Sequence, residues 1–147
     1  TAKRIPWEVV LLFGGGIALA DAFKVSGLSG SVAESLTGLA GLHALVLIGS
    51  IALAVTFLTE VTSNTATSTI LMPVLAAFAI AADLAPEMVM VPAVLSASCA
   101  FMLPVATAPN AIIYGSGRVP IRAMVRAGIG LNLIGAVAIT LWCYFAL

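Results

Sequence analysis

Apolar residues run along this chain in five blocks, at 5–23, 42–58, 70–82, 88–103 and 128–147, and none shows the every-second-residue alternation of a half-buried strand. The pattern predicts helices. Blocks 5–23 and 128–147 are long enough to cross a bilayer, which takes about 20 apolar residues, whereas 42–58 and 70–82 are too short to do so comfortably. Between these two stands 59–69, TEVTSNTATST, in which seven of eleven side chains carry a hydroxyl and one an amide. Polar groups at membrane depth are tolerated only where protein or a cavity surrounds them. A polar interruption of an apolar segment is the sequence-level pointer to a transporter's binding site. The chain therefore reads as organised around a helix–break–helix unit.

The flanks agree. Pro6 suits a first helical turn and Trp7 the headgroup belt, while Gly14, Gly15 and Gly16 fit close packing in mid-membrane. Segment 24–41 repeats apolar residues at Val25, Leu28, Val32, Leu36 and Leu39, as an amphipathic surface helix or a plain connector would. Lone His43 at the start of block 42–58 reads as hydrogen-bonded structure, and Pro73 falls early in the second arm, where a missing donor costs least. Block 88–103 stops at Pro104. A second break is expected over 104–117, PVATAPNAIIYGSG, whose prolines, glycines, Thr107 and Asn110 disfavour a continuous helix. Arg118, Arg122 and Arg126 follow at four-residue steps, as one basic face, and Asn132 is the main polar group of the last span.

Composition narrows the class. The chain of 147 residues is 62% hydrophobic and 8% charged, with a mean hydropathy of +1.20. Soluble domains are about a quarter charged, so this is an all-α integral membrane protein or part of one. Zero net charge excludes a nucleic-acid footprint. Cys99 and Cys143 fit neither a metal spacing nor a disulfide framework and read as packing residues. Five of the six basic residues form two clusters, Lys3/Arg4 and Arg118/Arg122/Arg126. Keeping both on the cytoplasmic side makes 42–83 enter and leave from outside, where Glu34, Asp83 and Glu87 also lie; two full spans satisfy the same parity, and the short arms and polar tip favour a re-entrant hairpin. The expected layout is a span plus interfacial helix over 1–41, the hairpin over 42–83, a broken span with a basic segment over 86–126, and a last span over 128–147.

The two breaks share one chemistry. A helix arriving at a break ends in unpaired carbonyls, which suit a hard cation, and one leaving it begins with free amides, which suit a carboxylate. Asn64 can offer oxygen to a cation and nitrogen to an anion, and the Ser63 and Thr65 hydroxyls can donate to a carboxylate. Thr67, Ser68 and Thr69 are expected to bond back to their own helix turn. No Lys or Arg stands at either break, so dipoles and co-bound cations must balance a bound anion. Glu60 either tunes the cation site or is a hydrogen-bonded structural carboxylate. Nothing at either break resembles paired catalytic carboxylates, a metal set or an activated nucleophile, so no enzyme is expected.

Ser63-Asn64-Thr65, preceded by Thr59-Glu60, together with 104–117, closely resembles the C-terminal half of the divalent anion/sodium symporters, the group of bacterial and animal di- and tricarboxylate transporters. Leu11 to Gly16 and Ser26-Gly27-Leu28-Ser29 are similar to that family as well, and the likeness runs along nearly the whole chain. It implies the second inverted repeat of an elevator-type secondary transporter, with an N-terminal repeat as partner, a homodimer in the cytoplasmic membrane, several coupling sodium ions and no other cofactor. It further implies sodium held by Thr59, Thr62, Asn64 and Ala106, with Thr62 and Ala106 acting through their carbonyls. Ser63, Asn64, Thr65, Thr107, Ala108 and Pro109 would face a succinate-, malate-, fumarate- or citrate-type substrate. One departure is Thr107-Ala108-Pro109-Asn110, where the family usually has a second proline in place of Ala108. A sulfate carrier or dicarboxylate exchanger of the same group, and a non-transporting membrane subunit, are the alternatives.

Overall fold

The computed structural model describes residues 43–147 throughout, the side chain of Ala81 apart, and before them only 7, 10, 11, 14, 15, 18, 21, 22, 25–28 and 31. The expected first span and the amphipathic segment 24–41 lie, as continuous elements, outside the described residues. The described chain carries five helices: α1 Ala44–Leu58, α2 Asn64–Ala81, α3 Glu87–Ala97, α4 Ala108–Gly115 and α5 Ile121–Ala146.

His43 starts α1 as a cap, its Nδ1 accepting from the Leu45 amide at 3.3 Å while the ring lies 5.8 Å from that of Tyr144. The helix closes at Thr59, whose N–H donates to the Val55 carbonyl at 2.9 Å. The break that follows is shorter than 59–69, because α2 begins at Asn64, before block 70–82. Ser68 Oγ donates to the Asn64 carbonyl at 2.9 Å and Thr69 Oγ1 to the Thr65 carbonyl at 2.7 Å, so these polar residues satisfy themselves within a helix. Pro73 consequently sits inside α2 and not at its start, and it denies a helical donor to the Thr69 carbonyl. The helix ends in a Schellman arrangement, with Leu84 N–H on the Ala79 carbonyl, Asp83 N–H on the Ile80 carbonyl and Asp83 left-handed at φ 55°.

Helix α3 stops at Ala97, so the second break spans 98–107 and not 104–117. Pro104 does not end it; Pro109 falls within the first turn of α4, where no N–H is needed, and helps to begin that helix. Helix α5 starts at Ile121 instead of 128, since Pro120 supplies the extended entry and 121–127 are mostly good helix formers. Arg122 and Arg126 ride on its first turns, but Arg118 precedes it, beyond Gly117 at φ +69°, so the three do not form one helix face. All three are exposed.

At about 1.5 Å per residue, the 26 residues of α5 reach roughly 39 Å, and among the described residues it is the one helix long and apolar enough to cross a membrane. The 15 residues of α1 and 11 of α3 reach only about 22 and 16 Å. Helices α1, α3 and α5 pack pairwise, and α2 joins through α3. Leu47, Phe78, Ala79 and Val89 form one core cluster and Val55, Ala93 and Ala97 a second, tying both arms of the helix–break–helix unit to α3. Cys143 is fully buried, as packing requires.

The inward stripe of α5 is Met124, Gly128, Asn132, Ala136, Thr140 and Cys143. At Gly128 the second break presses on the helix: an added Cβ would lie 2.5 Å from the Phe101 carbonyl oxygen and 2.6 Å from Met102 Cα. Those atoms are backbone and cannot swing aside. Gly128→Ala should therefore destabilise the full-length protein by about 1–3 kcal/mol, read as a lower unfolding temperature, whereas Gly130→Ala, with open space at its Cβ position, should leave that temperature unchanged or raise it.

Candidate functional site

The two breaks are fastened together by Glu60. Its side chain is 2% exposed. Oε1 accepts from the amides of Phe101 at 2.7 Å and Met102 at 2.9 Å and from Asn132 Nδ2 at 2.8 Å, while Oε2 accepts from the Leu103 amide at 2.9 Å. One carboxylate thus serves three consecutive backbone donors that would otherwise be orphaned in an apolar setting. Asn110, within α4, finishes the job on the acceptor side, its Nδ2 donating to the Ala100 and Leu103 carbonyls at 3.0 Å each. Of the two roles open to Glu60 in the sequence, the structural carboxylate is the one these contacts describe.

One residue earlier, Thr59 Oγ1 lies 2.6 Å from Asn64 Oδ1 and 2.8 Å from the Ala97 carbonyl oxygen, the last residue of α3. A hydroxyl has a single proton. Three oxygens therefore converge with one hydrogen among them, and Thr59 is fully buried. The tip itself is held by a relay: Thr62 Oγ1 donates to the Leu58 carbonyl at 2.9 Å, which leaves Thr67 Oγ1 to donate to Thr62 Oγ1 at 2.5 Å. Ser68 and Thr69 bond back to their own helix as expected; Thr67 does so only through its amide, which donates to the Ser63 carbonyl at 2.8 Å. Neither the Thr62 nor the Ala106 carbonyl accepts a hydrogen bond among the described residues.

Helix α2 opens with unpaired amides, as every helix does. Ser63, at the cap position, makes no capping bond and is exposed. A cavity of about 260 Å³ lies against this end, lined by Asn64, Thr65, Ser68, Thr69, Val94 and Ser98. Val94, in the last turns of α3, and Ser98, which caps its C-terminus, carry no motif that would single them out in the sequence. Thr107, Ala108 and Pro109 do not line this cavity. Thr107 caps α4, its Oγ1 accepting from the Asn110 amide at 3.3 Å, which leaves the hydroxyl proton free to donate elsewhere. Ala108 and Pro109 are exposed beside it. The structure thus groups Thr59 with Asn64 and the Ala97 carbonyl, and Asn64 and Thr65 with Val94 and Ser98. Among the described residues no group of His, Cys, Asp and Glu could hold a transition metal.

Comparison with known proteins gives one consistent answer. Residues 1–146 match the family described as the sodium:sulfate symporter transmembrane region. The chain is 46% identical over 144 residues to the sodium-dependent dicarboxylate transporter SdcS of Staphylococcus saprophyticus. It is 47% identical over 146 residues to the SdcS proteins of Staphylococcus aureus strains USA300 and NCTC 8325. These alignments take in 98–99% of this chain but 28% of each relative's length.

Removing the Glu60 acceptor leaves three part-buried backbone amides and the buried Asn132 carboxamide without that partner. Glu60→Ala in the full-length protein should cost on the order of 4 kcal/mol or more, seen as a large fall in unfolding temperature. Glu60→Gln keeps one acceptor oxygen and turns an N–H toward a backbone donor, so its fall should be intermediate.

Proposed function

The chain belongs to the sodium:sulfate symporter family, and from that premise we propose that it supplies one half of the site of a sodium-coupled symporter for di- or tricarboxylates. The chain spans 28% of the length of its curated relatives, so the other half of the site comes from elsewhere in the assembly: in this reading, from an N-terminal repeat of inverted topology. The relatives are named as transporters, not enzymes, and the proposed cycle makes and breaks no covalent bond.

The observation that carries the reading is the crowding at Thr59, where Asn64 Oδ1 and the Ala97 carbonyl flank a single hydroxyl at 2.6 and 2.8 Å. Sodium is a hard cation that favours oxygen ligands, and an excess of acceptors over protons is what such an ion relieves. Thr59 and Asn64 are two of the four proposed sodium ligands, and the unengaged Thr62 and Ala106 carbonyls are the other two. The substrate carboxylate then takes the open start of α2, with Ser63, Asn64 and Thr65, and the free hydroxyl proton of Thr107, flanked by Ala108 and Pro109. No lysine or arginine lines the cavity, so the helix dipole and the bound cation together hold the anion. Binding of acid is thereby made conditional on sodium.

The same proposal takes 42–83 as a re-entrant hairpin, 86–126 as a broken span and 128–147 as part of the last span, within a multi-pass dimer of the cytoplasmic membrane that works by an elevator motion. The family's own description favours keeping sulfate as a second substrate class.

Thermal unfolding of the full-length protein in potassium chloride, in sodium chloride, and in sodium chloride with succinate, citrate or sulfate tests this. Sodium alone should stabilise, by about 2.7 kcal/mol at a hundred times its dissociation constant, and succinate should add to it only when sodium is present. Asn64→Ala should abolish the succinate increment. An acid effect in potassium equal to that in sodium would refute the coupling, and a larger increment from sulfate than from succinate or citrate would move the assignment to sulfate.

A further inference from the structure

The cavity at the start of α2 has two walls, and the Ser63-Asn64-Thr65 motif reaches only one of them. Asn64, Thr65, Ser68 and Thr69 make the α2 wall, and Val94 and Ser98 the α3 wall. The walls are tied to each other through Thr59. Its Oγ1 lies 2.6 Å from Asn64 Oδ1 and 2.8 Å from the carbonyl oxygen of Ala97, the residue before Ser98. Val94 also borders a second cavity of about 240 Å³, which is wholly apolar and shared with Met72, Met90, Val91 and Leu95. Polar support thus ends at Val94, and the first cavity can serve one charged group.

An account of the donors separates the polar residues of the first cavity. Ser68 and Thr69 spend their hydroxyl protons on the Asn64 and Thr65 carbonyls, at 2.9 and 2.7 Å. Asn64 meets Thr59 through Oδ1, and its Nδ2 has no partner among the described residues. The hydroxyls of Thr65 and Ser98 have none either. Ser98 is out of its default arrangement. Ser116, at the corresponding C-cap of α4, donates to the Ile113 carbonyl three residues back at 2.7 Å. The equivalent acceptor for Ser98 is the Leu95 carbonyl, which instead takes the Ser98 amide at 3.2 Å and the Cys99 thiol at 3.6 Å. Three unspent donors therefore border one cavity, two on the α2 wall and one on the α3 wall. An ionised carboxylate only accepts, at about four lone-pair positions, so one wall alone leaves part of it unserved.

We infer that Ser98 is a further substrate-binding residue, whose hydroxyl donates to the same carboxylate that Asn64 and Thr65 hold from the opposite wall. The inference rests on the sodium-coupled reading of the chain and adds a residue to its substrate site. It also gives the coupling a route. A sodium ion drawing on Asn64 Oδ1 beside the Ala97 carbonyl fixes one residue of the α2 wall and the residue next to Ser98 together. It offsets as well the negative end of α3, which would otherwise repel an anion at Ser98. Since Ser98 serves a carboxylate and not a substituent, its contribution is common to succinate and malate.

The full-length protein and its Ser98→Ala, Ser98→Thr and Ser68→Ala variants would be titrated with succinate and with malate in saturating sodium chloride, and with sodium chloride alone, following unfolding temperature. Sodium-driven uptake of radioactive succinate into proteoliposomes gives the transport KM. Ser98→Ala should raise the half-saturating concentration of both acids about tenfold or more, as loss of a hydrogen bond to a charged group does, and leave the titration with sodium alone in place. Ser98→Thr, which keeps the hydroxyl, should recover most of that loss, and Ser68→Ala, whose hydroxyl is already spent, should shift the acids less than Ser98→Ala. An unchanged succinate titration in Ser98→Ala would overturn the inference, as would a Ser98→Thr variant no better than Ser98→Ala, which would mean that the wall is felt only as shape. A loss confined to malate would overturn it too, by assigning Ser98 to the substrate's hydroxyl. Each of these leaves the tip site standing as a proposal, whereas a wild-type protein whose response to succinate ignores sodium would overturn both.

Discussion

A single carboxylate lets a helix stop in the middle of an apolar protein. Interrupting α3 at Ala97 strands the amides of Phe101, Met102 and Leu103 away from any helical acceptor, and each such group costs free energy when it has no partner. Glu60 receives all three, and Asn132 on α5 fixes the carboxylate from the far side at 2.8 Å. The first break, the second break and the last helix are therefore fastened together. Gly128 completes it by allowing the backbone at Phe101 and Met102 to lie directly on α5.

That arrangement also explains how the break can present carbonyls to an ion. Its donors are consumed by Glu60 and two of its acceptors, Ala100 and Leu103, by Asn110. What is left over is acceptor capacity, at Ala106 on one side and at the Ala97 carbonyl beside Thr59 on the other. In the proposed reading, the cation takes this surplus without any dedicated charged ligand. On the same proposal, an anion beside it would meet only helix dipoles, which are fixed and weak, so the mobile ion would decide whether the anion is held.

Much of this was legible in the residues themselves. The hydroxyl-rich stretch after Leu58 marks a break because so many short polar side chains cannot lie in lipid, and the Ser63-Asn64-Thr65 motif marks the family. The limits of the elements were less legible, for a physical reason: apolarity and helicity are separate properties. Residues 64–69 are mostly polar yet helical, helped by Ser68 and Thr69, whose hydroxyls close on carbonyls four residues back. Residues 98–103 are largely apolar yet irregular, because their amides are drawn to a carboxylate 41 to 43 residues earlier. The roles of Glu60 and Asn132, 72 residues apart, and of Ser98 at the cavity wall depend on partners distant in sequence, and no local pattern encodes them.

The unequal lengths of the helices bear on how the protein enters the bilayer. Helix α5, with 26 residues and arginines only in its first turns, meets the demands of a membrane-inserting segment on its own. Helices α1 and α3 are too short to do so, and the residues that join them to the breaks include a carboxylate that hydrocarbon would reject if it arrived alone. Glu60 finds its last donor, Asn132, on α5, the helix that emerges from the ribosome after all the others described. Glu60 therefore lacks its full set of donors until the final helix is in place, which couples completion of the first break to the arrival of α5.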